Sequence, residues 1–157
     1  MYPNMKAINR LLQAIHVFRG VTHQSQKFLS EQFVNPSVTV EQLEKTGEMV
    51  RSICQPKFKI SDEEALNYRK GIFGQTKDSK CYVNCIFENM QSMKRGKFQV
   101  DSSKKQADLL LPDDIKGPTI DAMEACRGCT DGIKDHCDAA FVLLECLLKN
   151  NKNFFFP

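Results

Sequence analysis

Seven cysteines and three histidines are the side chains of this 157-residue chain best suited to covalent or metal chemistry. Six of the cysteines, Cys54, Cys81, Cys85, Cys126, Cys137 and Cys146, are separated by 26, 3, 40, 10 and 8 intervening residues. Such compact intervals suit disulfides in an oxidising, secreted setting, where bridges compensate for a small core. The other uses of sulfur have less to stand on. His16, His23 and His136 form no paired metal motif, and Cys81 and Cys85 have three intervening residues rather than the two of a redox pair. Cys126-Arg127-Gly128-Cys129 has the two-residue gap, but it lacks a preceding βαβ pattern, a Gly-Pro centre and a second ligand pair. No metal, cofactor or enzyme activity is therefore expected. Cys129 is left as a free thiol, and the pairing of the other six stays open among many connectivities.

Helices must position these sulfurs. Thr39 with Gln42, and Ser61 with Glu64, have the spacing of capping boxes. The first opens a helix carrying Val40, Leu43, Val50 and Ile53 up to Pro56, and the second opens one carrying Leu66 and Ile72, loosened by Gly71 and Gly74. A third is expected over 78–93, with Tyr82, Ile86, Met90 and Met93 as its apolar stripe and Cys81 and Cys85 one turn apart. Gly96 and Phe98 read as a turn before a helix over 101–109, which Pro112 closes. Gly117-Pro118 precedes a fifth helix with Ile120, Met123 and Cys126. The last, over 134–148, carries Cys137, Phe141, Leu144 and Leu148, while Cys146, nine residues beyond Cys137, falls on the opposite face. No hairpin signal competes. The expectation is an all-α fold, a compact bundle of about six short helices with three disulfides; staples make an internal hydrophobic cavity tolerable.

Charge divides the chain. Four of the 22 basic residues and one of the 19 acidic ones fall within residues 1–36, so the net +3 belongs to that segment and the remainder is balanced. Residues 1–36 read as a leader or N-terminal extension with a weak signal-like stretch around Leu11–Phe18, and residues 37–157 as the helical domain. A nucleic-acid partner is not expected, because phosphate binding needs Lys and Arg gathered on the domain surface. No stretch has the roughly 18 apolar residues of a membrane span. Phe154, Phe155 and Phe156 would be an unfavourable exposed patch, which is relieved if the chain end folds back over the bundle.

The five cysteine intervals taken together resemble the insect odorant-binding protein family, which includes pheromone-binding proteins. Val40-Glu41-Gln42-Leu43, Cys54-Gln55-Pro56-Lys57-Phe58-Lys59 and the ending Phe154-Phe155-Phe156-Pro157 are most similar to its fly and mosquito branch. The resemblance covers residues 38–157. It implies the pairs Cys54–Cys85, Cys81–Cys137 and Cys126–Cys146, and a soluble extracellular carrier of small hydrophobic odorant or pheromone-like molecules, in a fluid such as sensillum lymph. It also implies hand-off to a membrane odorant receptor and a C-terminal segment that forms part of the pocket wall, pointing to Phe155 and Phe156. Two hydroxyls that hold short alcohols in that branch correspond to Phe87 and Ser92, so the loss of one at Phe87 argues for an apolar cavity without short-alcohol binding. Candidate ligand-binding residues are then Phe73, Phe87, Met90, Ser92, Met93, Phe98, Leu110, Ile120, Met123, Phe141, Leu144, Phe154, Phe155 and Phe156. Asn151 stands where the branch can place an acidic tail latch, and His136 is the candidate for a pH switch. The competing reading is a secreted interaction module that uses the Phe-rich tail for protein binding or homodimerisation.

Overall fold

Two reciprocal caps start the architecture. In the computed structural model, which describes residues 38–157, the Thr39 hydroxyl accepts from the Gln42 backbone N–H and the Gln42 side chain accepts from the Thr39 N–H. This opens α1, Val40–Cys54. A short 3-10 turn over Gln55–Lys57 follows, with Pro56 in its first positions. Ser61 and Glu64 form the same reciprocal cap at α2, Asp62–Arg69. Each such cap is worth about 1 kcal/mol, because it satisfies N–H groups that a helix start leaves orphaned. The leader expected over residues 1–36, including His16 and His23, lies outside the described residues.

The remaining elements are α3 (Lys77–Asn89), β1 (Met93–Lys94), β2 (Lys97–Phe98), α4 (Val100–Leu110), α5 (Asp113–Ala125) and α6 (His136–Asn150). Six α-helices therefore make up the fold among the described residues, as the apolar periodicity suggested. Three of the differences from the expected boundaries have a local cause. First, α3 stops at Asn89 rather than Met93, because Gln91 turns to φ +58° and the chain reverses. Met93 then pairs with Phe98, and Lys94 with Lys97, in an antiparallel hairpin. Its two-residue turn, Arg95-Gly96, has φ +52° and +74°. Both central residues of the favoured hairpin turn need positive φ, and Arg-Gly meets that need without the usual Asn or Asp. Second, α5 begins at Asp113, so Gly117-Pro118 lies inside it rather than before it. The acidic pair Asp113-Asp114 suits the positive end of a helix and moves the start upstream. Pro118 then removes one N–H from the helix ladder. Third, α6 starts two residues late, at His136, capped by the Asp135 side chain.

The core lies between α3 and α6. Tyr82, Val83, Ile86 and Phe87 on the first meet Ala139, Ala140, Phe141, Leu143, Leu144 and Leu147 on the second, all buried. Each large apolar side chain buried in this way contributes roughly 1.5–3 kcal/mol. Only some of the apolar residues that the periodicity picked out on the flanking helices face inward. Val40 and Ile53 of α1 are exposed, and its inner line is Leu43, Gly47, Val50 and Cys54. Leu66 and Ile72 are exposed too, leaving Ala65 and Tyr68 as the buried face of α2.

Three disulfides tie these layers: Cys54–Cys85 joins α1 to α3, Cys81–Cys137 joins α3 to the start of α6, and Cys126–Cys146 joins the end of α5 to α6. The nine-residue separation of Cys137 and Cys146 lets one helix be bridged from two sides. Cys129 is free and half-buried, and burial together with the Asp131 carboxylate pushes its thiol pKa up.

Candidate functional site

An apolar cavity of about 230 Å3 lies between the helices and the C-terminal tail. Four residues of α1 form one side: Leu43, Thr46, Gly47 and Val50. Phe87 and Met90 close the end of α3, and Ser92, just before the hairpin, and Phe98, on β2, lie beside them. Across the space stand Ser103, Gln106, Ala107 and Leu110 of α4, then Ile115, Thr119 and Met123 of α5. Leu143 and Leu147 of α6 form the floor, and Asn153, Phe154, Phe155 and Pro157 supply the tail's share. No charged side chain is among these lining residues. The chemistry available is desolvation of an apolar guest, with a few hydroxyl and amide groups to orient it.

Local contacts explain how each wall is held. The Phe98 N–H donates to the Thr130 hydroxyl at 3.2 Å, and the Gln99 N–H to the Ser92 carbonyl at 2.9 Å, so the hairpin is fixed against α4 and the loop before α6. At Gly47 the missing side chain matters: a Cβ there would lie 2.8 Å from Pro157 Cβ, so only glycine lets the tail lie against α1. Asn151 sets the turn that sends the tail back. Its side-chain oxygen accepts from the Asn153 N–H at 3.1 Å, its carbonyl accepts from the Phe154 N–H at 3.0 Å, and its amide reaches the Thr119 hydroxyl at 3.5 Å. A neutral amide thus holds the turn.

Behind the cavity, Phe156 is only 3% exposed and sits edge-on to Phe73 and Phe87, at 5.5 and 5.7 Å between ring centres. Tyr68 stacks on Phe73 at 5.2 Å and meets Tyr82 at 5.4 Å. Burial pushes the Tyr82 phenol pKa up to about 12 and raises that of Tyr68 as well, so this cluster stays neutral across physiological pH.

The structure brings eight of the expected ligand-binding residues to the cavity: Phe87, Met90, Ser92, Phe98, Leu110, Met123, Phe154 and Phe155. The other six sit elsewhere. Phe73 and Phe156 belong to the aromatic cluster, and Met93 is buried on β1. Phe141 and Leu144 face the core, the first with Lys80 Nζ 5.6 Å from its ring centre. Ile120 is half-buried off the wall, because the lining stripe of α5 is Ile115, Thr119 and Met123 at four-residue spacing. One residue along a helix is a rotation of about 100°, which separates Ile120 from Thr119 and Leu144 from Leu143. On α1 the wall residues Leu43, Gly47 and Val50, spaced by four and then three, were not among the expected ligand contacts. His136 is exposed at the first position of α6 and is not among the cavity-lining residues.

A second recess, between Gln99–Ser102 and Arg127, Gly128 and Asp131, is polar and more open. Arg127 is already engaged at its rim by Asp101 and Glu124. Phe98 and Val100 are its only apolar lining residues, against the largely apolar wall of the cavity.

The sequence profile of the PBP/GOBP family matches residues 36–150. The chain belongs to this family. General odorant-binding protein 72 of Anopheles gambiae is 50% identical over 121 residues, covering 77% of this chain and all of that protein. General odorant-binding protein 19a of Drosophila melanogaster is 45% identical over 123 residues, 76% of this chain and 84% of the other. Among solved structures, odorant-binding protein 4 of Chrysopa pallens superposes with a TM-score of 0.68 at 34% identity, over 76% of this chain and 99% of that one. Odorant-binding proteins are binding carriers of small hydrophobic ligands, not enzymes, and are secreted. In this member no described helix is long and apolar enough to cross a membrane.

Proposed function

We propose that this odorant-binding protein carries small hydrophobic odorant or pheromone-like molecules in the cavity between its helices and its tail, in an extracellular fluid such as sensillum lymph. The observation that carries the reading is the uncharged, largely apolar lining, to which the tail itself contributes Phe154, Phe155 and Pro157. Burying a guest there gains roughly 25 cal/mol per Å2 removed from water, enough for micromolar affinity without a charge contact. The carrying unit is the 37–157 domain, with residues 1–36 as its leader or extension, and delivery is to a membrane odorant receptor.

The inward set of the tail favours this over an interaction module built on Phe154–Phe156, since Phe156 is buried within its own chain. Uptake of a neutral hydrophobic fluorescent probe, followed by competition, tests the choice. The intact protein should bind the probe as a monomer and release it to a long-chain alcohol, whereas ethanol at equal concentration should not compete, because Phe87 fills the place of a second hydroxyl. Deleting residues 154–157 should weaken retention by about fivefold or more. No probe uptake, with a homodimer that buries the three phenylalanines, would overturn the carrier in favour of the interaction module.

A further inference from the structure

Ser103 sits on the buried face of α4 with Val100 and Ala107, at 2% exposure, and its hydroxyl has no hydrogen-bond partner among the described residues. It also lines the cavity. A buried hydroxyl without a partner is costly, and the usual escape on a helix is to donate to the carbonyl four residues back. Thr119 takes that escape on the adjacent helix α5, donating to the Ile115 carbonyl at 2.8 Å, and Ser103 does not. Helix formation offers no reason for serine here, since alanine is the better helix former. The unpartnered hydroxyl of Ser103 therefore belongs to a residue of the cavity wall.

We infer that Ser103 is the polar anchor of the cavity and selects a neutral ligand with a hydrogen-bonding oxygen: an aliphatic alcohol, aldehyde, ketone or ester. This rests on the carrier reading above. A serine hydroxyl both donates and accepts, so it serves alcohol and carbonyl oxygens alike. It cannot neutralise a carboxylate. None of the described lining residues is cationic, so an ionised fatty acid would enter without a counter-charge and be disfavoured. A pure hydrocarbon would gain the apolar contact and leave the serine unpaired.

Competition for the bound probe by decane, 1-decanol, decanal and decanoate at neutral pH, in wild type and Ser103→Ala, tests this. In the wild type 1-decanol and decanal should outcompete decane, with decanoate about tenfold or more weaker than the alcohol. In Ser103→Ala, affinity for the alcohol and aldehyde should fall about two- to tenfold while decane and the probe keep theirs. The empty variant should also unfold at a higher temperature than the empty wild type, because an unsatisfied hydroxyl has been removed. An alcohol-to-alkane ratio unchanged by the substitution overturns the anchor and leaves the carrier standing. Decanoate binding as tightly as decanol overturns the neutral ligand class. A wild type that takes up neither probe nor any of the four overturns the carrier reading itself.

Discussion

Glu124 lies between two cations on the surface. Arg127 Nε donates to its carboxylate at 2.6 Å and Lys104 Nζ at 2.7 Å, and these hydrogen bonds hold its pKa down to about 2 from the usual 4.5. Asp101, which accepts from the same guanidinium at 2.7 Å, is lowered too. A carboxyl held down in the folded state stabilises fully above its unfolded pKa, and that contribution fades as pH falls from about 4.5 through 2. The group is exposed, so screening keeps the effect small. Thermal unfolding of Glu124→Gln across this window should show a modest deficit near neutral pH that closes by pH 2 and shrinks in high salt. A deficit independent of pH would mean that packing, not charge, was lost. Residue types and spacing had already marked some contacts at this scale: Phe87, Met90 and Met123 are large and flexible or aromatic, and they do line the cavity. Ser103 escaped notice because a serine on a helix gives no sign of whether its hydroxyl is paired.

Turns and helix ends show which elements a sequence can announce. Both capping boxes were legible, because a short hydroxyl side chain and a Gln or Glu three residues later act within one turn and need no tertiary partner. The hairpin was not, since Arg95-Gly96 carries only half of the usual turn signature, and its strands are two residues long. Gly96 is required twice over: its φ is +74°, and a Cβ would lie 2.7 Å from His136 Cδ2. Gly132, at φ +79°, has nothing within 4 Å of that position. Gly96→Ala should therefore destabilise by more than the roughly 1–2 kcal/mol of left-handed strain expected at Gly132→Ala, and His136→Ala should narrow the gap between them. Equal losses in denaturant unfolding would show that His136 exerts no steric pressure on the hairpin. Along α1 and α2, periodicity gave the helices but only part of their inward faces: Leu43 and Val50 turn inward, while Val40, Ile53, Leu66 and Ile72 are apolar residues left in solvent. Only contact with α3 and the tail decides which stripe is turned inward.

Across the whole molecule, cysteine spacing was the most readable signal, since the framework resembled one family and the bridges follow its pairing. The cavity was less so: its wall is assembled from five of the six helices, the hairpin region and the tail, and no stripe on one helix says which neighbour it meets. Removing the Cys126–Cys146 bridge by a double serine substitution should cost about 2–5 kcal/mol, measured by denaturant unfolding, whereas Cys129→Ser should change stability little. Comparable losses from both would mean that the seventh sulfur takes part in the framework. Cys129 stands three residues beyond Cys126, in the turn that follows α5, close enough in sequence to compete for Cys146. Exchange of that kind begins with a thiolate, and the half-buried site beside Asp131 keeps the thiol protonated. The same burial that makes Cys129 a poor nucleophile therefore protects the neighbouring bridge from scrambling, so a chain with an odd number of sulfurs can keep a single connectivity.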